Sequence, residues 1–237
     1  MALSLHSGIF KWTVKNILAV IIFSIISYRI SHLIYGSFSS KQWWEKYFPW
    51  MKFIKNSVIY NGVKLKIKKK VKKKKYNVSF VGRLEQENNP QLFLKITNLL
   101  KENDKIKFNI FGDGPLKKLF FNKKLNFKYW GWSDRSVIYK NTDILIITSP
   151  INNFPYAALE SQSYGIPVIT SSQGDVRKII KNNFNGYIFN SNDPKKYEMF
   201  IKKTIDNYNI LSENSYKRAK NFDTRKSCKN IWSFIKN

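Results

Sequence analysis

An acid follows an amide by eight residues in INNFPYAALESQSYGIPVIT (151–170): Asn152, then Glu160, with Pro155 between them. Proline suits the first turn of a helix, so a helix begins near Pro155 and leaves the N–H groups of Tyr156 and Ala157 without intrahelical partners. Those groups can bind an anion, assisted by the helix dipole. Glu160 falls one turn deeper, where a carboxylate can accept a pair of hydrogen bonds from vicinal hydroxyls such as those of a ribose. Upstream, Arg83 in GRLEQENNP (82–90) carries a guanidinium able to fork onto phosphate oxygens. FGDGP (111–115) offers backbone N–H groups at a tight turn that includes Gly112. Each has a plainer reading as well: a solvated loop charge for Arg83, an ordinary strand-to-helix turn for the glycines, and a solvated surface acid for Glu160.

The elements that must position these residues are legible from residue 76 onward. NVSFVG (77–82), KFNIFG (107–112), FKYWG (127–131), DILIITS (143–149), PVIT (167–170) and GYIF (186–189) are short apolar runs of strand character. Between them, 90–102, 115–121, 135–140, 155–165 and 175–182 suit helices. Such alternation predicts an α/β fold, a Rossmann-like doubly wound parallel sheet whose ligand crevice lies outside the carboxyl ends of its strands. Arg83, the GDGP turn and the Asn152–Glu160 stretch all fall in strand-to-helix connections on that side.

Taken together, FVGRLEQENNPQLFLKI, IFGDGP, DILIITSPINNFPYAALESQSYGIPVITSSQGDVRKII and NGYIF resemble the carboxyl-terminal, nucleotide-sugar-binding domain of family 4 retaining glycosyltransferases with the GT-B fold. The likeness covers about 80–190 and continues upstream through SHLIYGSFSSKQWWEKYF (31–48), similar to the last strand and helix of the family's amino-terminal domain, and VIYNGV (58–63), similar to its exit into the linker. It implies transfer of a sugar from a nucleotide diphosphate sugar with retained configuration, usually without a required metal and with no other cofactor, onto a glycan or lipid-linked acceptor. It places Arg83 on the donor diphosphate and Glu160, the second acid of the family's E-x7-E motif, on the ribose. Gly112, Phe154, Tyr156 and Ala157 join them as donor-binding positions. Asn152 stands where the family has the first acid of that motif, facing the donor sugar; Asn88 stands where a phosphate-binding lysine is usual. An amide can hydrogen-bond a hydroxyl or a phosphate but brings no charge. The alternative expectation is therefore a catalytically impaired remnant or accessory subunit that binds nucleotide without turnover, its amino-terminal half supplied by a separate chain.

Composition bounds the rest. The 237 residues divide into a 1–63 segment read as a partial amino-terminal domain, a lysine-rich linker at 64–75 with nine lysines in twelve residues, and a Rossmann-like domain at 76–237 ending in an amphipathic helix at 227–237. Net charge is +27, which attracts polyanions of any kind. No helix-turn-helix spacing, zinc knuckle or RNP-type motif accompanies it, so nucleic acid is not expected as a partner. An anionic membrane surface is, and the expected location is cytoplasmic, peripheral at the inner face of the membrane. The apolar run ILAVIIFSIISY (17–28), flanked by Lys15 and Arg29, suits a core helix, an interfacial helix helped by Trp12, or a spanning helix that includes Lys11 and Lys15. His6, His32 and the single Cys228 cannot build a common structural zinc site, and one cysteine allows no intrachain disulfide.

Overall fold

The structure is a computed structural model that describes residues 2–5, 24, 25, 27, 29–66, 73–121, 127–150, 154–171 and 174–236. Most of the apolar run at 17–28, the middle of the lysine run and Asn152 lie outside the described residues. The chain forms two compact units, one of residues 1–62 with 222–237 and one of residues 63–221.

The smaller unit holds a parallel three-stranded sheet, β1 (Ala2–Leu5), β2 (His32–Tyr35) and β3 (Lys55–Val58), in that order. Helix α1 (Phe38–Tyr47) starts at Ser37, whose hydroxyl accepts from the Ser40 N–H at 3.0 Å, the usual capping role of serine. Leu33, Tyr35, Trp44, Phe48 and Met51 form its apolar core. The amphipathic helix read at 227–237 spans Thr224–Lys236 and belongs to this unit. Ser227 Oγ donates to the Tyr60 carbonyl at 3.0 Å, and the Phe234 ring meets His32 edge-on at 5.4 Å.

The larger unit carries all six expected strands: β4 (Tyr76–Val81), β5 (Ile106–Phe111), β6 (Phe127–Gly131), β7 (Ile144–Ile147), β8 (Val168–Thr170) and β9 (Gly186–Ile188). They pair in parallel in the order β6-β5-β4-β7-β8-β9. Chain order runs outward from β4 in one direction and from β7 in the other, so the crevice at their carboxyl ends is the topological switch point. Strand β7 is Ile-Leu-Ile-Ile and buried throughout, as a central parallel strand covered on both faces must be. Helices α2 (Pro90–Leu99), α3 (Arg135–Lys140), α4 (Tyr156–Ser163), α5 (Val176–Ile179), α6 (Pro194–Asp206) and α7 (Tyr208–Ala219) follow in chain order. The segment read as a helix at 115–121 is a 3-10 turn over Pro115–Phe120.

Two buried polar networks hold this unit together. Asp143, fully buried just before β7, accepts from Lys73 Nζ at 2.8 and 3.0 Å, from the Asn77 N–H at 3.0 Å and from Tyr208 Oη at 3.4 Å. Burial, then the Asp143 charge, push the Tyr208 phenol up. Asn185, also fully buried, donates to Gln162 Oε1 at 2.6 Å and to the Ile179 carbonyl at 3.1 Å while its own oxygen accepts from the Lys181 N–H at 2.7 Å. That amide ties α4 and α5 to the start of β9. Buried polar groups satisfied in this way specify one packing of the surrounding elements.

Candidate functional site

At the carboxyl end of β4 the chain enters a loop that three contacts hold in place. The Gly82 N–H donates to the Phe111 carbonyl at 3.0 Å, the Leu84 N–H to the Asp113 carbonyl at 2.9 Å, and the Leu116 N–H returns to the Leu84 carbonyl at 2.9 Å. The β4 and β5 loops can approach so closely because Gly112, at φ +135°, has no Cβ: one built there would stand 1.9 Å from the Gly82 carbonyl oxygen. The Gly112 N–H donates to the Gly131 carbonyl at 2.7 Å and the Gly114 N–H to Asp113 Oδ1 at 2.7 Å. The GDGP glycines thus serve backbone packing, and these two N–H groups are already engaged.

Arg83 lies on this loop with its side chain 78% exposed and its Nη2 2.6 Å from Glu85 Oε1. An exposed pair of this kind contributes about 0–1 kcal/mol, so Glu85 holds the guanidinium only weakly. Asn88 turns inward. Its Nδ2 donates to the Arg83 carbonyl at 2.8 Å, and its own carbonyl accepts from Thr148 Oγ1 at 2.7 Å. Asn88 therefore closes the Arg83 loop and links it to the end of β7 across the switch point. The same strand end is braced by Tyr197, whose hydroxyl lies 3.1 Å from the Ile147 carbonyl and whose phenol is pushed up to about 12 by burial.

Helix α4 begins after Pro155 with no side-chain cap. The Pro155 carbonyl accepts from Ala158 and Leu159, so the first two helical N–H groups, those of Tyr156 and Ala157, have no intrahelical acceptor. Phe154 is buried and meets Tyr156 edge-on at 6.4 Å. Glu160 sits one turn on, its side chain 16% exposed. Tyr139 Oη donates to its Oε2 at 2.7 Å and Arg135 Nε stands 3.0 Å from its Oε1. Tyr139 is buried and stacks on Tyr164 at 5.0 Å. Burial, then the Glu160 charge, push the Tyr139 phenol well up, and the same two causes in the same order raise Tyr156 and Tyr164. The carboxylate thus has one phenol and one guanidinium in direct contact.

The structure brings Arg83, Asn88 and the Gly112 turn to the β4 and β5 ends, and Phe154, Tyr156, Ala157 and Glu160 to the segment after β7. Asn152 falls outside the described residues. Arg135, Tyr139 and Thr148 are absent from the sequence reading. Arg135 and Tyr139 stand four apart on a segment read as a helix and so share a face, but nothing in the sequence aims that face at an acid 21 positions beyond Tyr139. Among the described residues no three His, Cys, Asp or Glu side chains group as metal ligands.

The family model described as "Glycosyl transferases group 1" matches residues 63–222. The UDP-Gal:alpha-D-GlcNAc-diphosphoundecaprenol alpha-1,3-galactosyltransferase of Escherichia coli is 30% identical over 187 residues, 68% of this chain and 48% of its own. An alpha-1,4-N-acetyl-D-galactosaminyltransferase of Campylobacter jejuni, whose acceptor is named as a diNAcBac-PP-undecaprenol glycan, is 27% identical over 157 residues, 62% of this chain and 44% of its own. The chain spans about half the length of these curated relatives. In fold it resembles Anabaena HepE, solved in complex with UDP and glucose, with TM-score 0.79 at 16% identity over 99% of this chain and 71% of that one.

Proposed function

Because the chain belongs to the group 1 glycosyl transferases, we propose that residues 76–190 bind a nucleotide diphosphate sugar for transfer, with retained configuration as in family 4, to a glycan or lipid-linked acceptor. The observation that carries this is that Arg83 and the segment holding the uncapped start of α4 and Glu160 follow the carboxyl ends of the neighbouring strands β4 and β7 of a doubly wound sheet. In this reading Arg83 and the N–H groups of Tyr156 and Ala157 take the diphosphate, and Glu160 takes the ribose hydroxyls. The same cation and helix start stabilise the charge that develops on the diphosphate as the sugar leaves. Uridine nucleotides are the first candidates, since the E. coli relative is named for UDP-Gal and HepE was solved with UDP.

Calorimetric titration with UDP, GDP and ADP tests the site. Arg83→Ala and Glu160→Ala are each expected to weaken the tightest of the three by about 1.5–3 kcal/mol, a factor of ten or more. Affinities within twofold of the parent in both variants would remove the assignment. The reading includes no cofactor or metal, so EDTA is expected to leave the titration unchanged.

A second reading, nucleotide binding without turnover, is favoured by the amides at Asn88 and Asn152. Release of nucleoside diphosphate from a panel of nucleotide sugars, with membranes as acceptor, separates the two.

Peripheral association with an anionic bilayer is part of the proposal. Its support is the net charge of +27 and an exposed stretch of the smaller unit in which Tyr47, Trp50 and Phe53 alternate with Lys46, Lys52 and Lys55. The polar edges of Tyr47 and Trp50 favour the membrane interface, Phe53 adds apolar area, and each lysine near an anionic surface contributes about 1 kcal/mol. No helix of the described residues is long and apolar enough to cross a membrane. Co-sedimentation with phosphatidylserine vesicles at low salt, reduced at high salt, is the expected result. No pelleting at low salt would refute it.

A further inference from the structure

We propose that Tyr139 and Arg135 grip Glu160 unequally: Tyr139 is a positioning residue that aims the carboxylate at the nucleoside, and Arg135 is an exchangeable partner that the nucleoside displaces. This rests on the reading of Glu160 as the ribose acceptor.

The two contacts differ in what lies behind them. The Tyr139 ring is 1% exposed and stacks on Tyr164 at an interplanar angle of 27°, so the hydroxyl that reaches Oε2 at 2.7 Å comes from a fixed point. Arg135 is 80% exposed and reaches Oε1 at 3.0 Å through Nε. A solvated guanidinium on a long flexible side chain has water as a ready alternative.

The terminal torsion of a glutamate is broad, so a single pinned oxygen decides which way the group faces. With Oε2 held by Tyr139, the carboxylate keeps lone pairs on both oxygens, enough to accept from two vicinal hydroxyls once Arg135 leaves. Without the Tyr139 hydroxyl the carboxylate is free to turn and take the Arg135 fork with both oxygens. That bidentate pairing is stronger than the contact seen here. The loss of Tyr139 should therefore act through Arg135, and removing Arg135 as well should reverse it.

The test uses the full chain and calorimetry with whichever of UDP, GDP or ADP binds most tightly, together with its 2′-deoxy counterpart. The parent is expected to prefer the ribose form by at least tenfold. Tyr139→Phe, which keeps the ring and its stack, should weaken the ribose form five- to twentyfold and leave the deoxy form within twofold. Arg135→Ala alone should leave the ribose form within twofold of the parent or tighter. Tyr139→Phe with Arg135→Ala should recover most of the lost preference, which a merely structural role for Tyr139 would not produce.

A Tyr139→Phe protein with the parent's preference, beside a Glu160→Gln protein that has lost it, overturns the positioning role and leaves the ribose reading standing. A Glu160→Gln protein with the parent's preference overturns both. Absence of rescue in the double variant overturns the exchange. So does a tenfold loss in Arg135→Ala, a measurement at an exposed site that does not depend on Tyr139→Phe folding.

Discussion

Gly112→Val is expected to leave the larger unit unable to fold cooperatively. The first atom of any side chain there would stand 1.9 Å from the Gly82 carbonyl oxygen and 2.9 Å from its carbon. Both are backbone, and neither can retreat without losing the Gly82-to-Phe111 and Leu84-to-Asp113 hydrogen bonds. The φ of +135° adds a conformation closed to a β-branched residue. Clash, strain and broken loop contacts together should exceed about 4 kcal/mol, against a whole-domain stability of roughly 5–15 kcal/mol. Urea unfolding followed by circular dichroism is the measurement. Gly131→Ala is the control, because its φ is +66° but its nearest neighbour, the Tyr129 hydroxyl, lies 3.9 Å away. Strain alone should cost it about 1–2 kcal/mol. A cooperative Gly112→Val transition at the parent's midpoint would show that the two loops do not meet as described.

Asp143→Ala is expected to destabilise the same unit by about 3–5 kcal/mol, the cost of breaking a buried charge pair from one side. The Asn77 N–H and the Tyr208 hydroxyl lose their acceptor in the interior, and Lys73 loses the carboxylate that holds it. Lys73→Met should cost less, because the lysine is 28% exposed and the carboxylate keeps its other donors. Urea midpoints of the two variants rank the contributions. A larger effect from Lys73→Met than from Asp143→Ala would invert this account.

The six strands of the larger unit were legible because buried parallel strands are written as short runs of Val, Ile, Leu and Phe, and ILII at β7 has no other comfortable place. The 115–121 segment was harder. Its lysines and apolar residues suit a helix, but Gly114 at φ +153° and Pro115 set a tight entry, and the observed turn is 3-10. Strand β3, Lys-Asn-Ser-Val, carries too little apolar signal to be read without its tertiary neighbours. Helix α6 does carry one in the sequence: the Asp193 cap before Pro194, then Tyr197, Ile201 and Thr204 spaced for a single buried face. At the site, the chemistry of Arg83, Tyr156, Ala157 and Glu160 could be proposed from residue type and helix phase. The hidden part was geometric. That Asn88 folds back on Arg83, that the Gly112 N–H is engaged, and that Tyr139 meets Glu160 all depend on which loops the sheet order brings together.

The buried amide of Asn185 has a chemical consequence. An asparagine followed by glycine is prone to spontaneous deamidation, because the next backbone nitrogen can attack the side-chain carbonyl and close a succinimide ring. Asn185 precedes Gly186, yet its amide is fastened on both sides by Gln162, Ile179 and Lys181. Ring closure there requires the helix and strand around it to come apart first. Asn61, which precedes Gly62, is only half-buried. Deamidation at Asn185 should therefore report opening of the larger unit, readable as a one-dalton change in a single peptide.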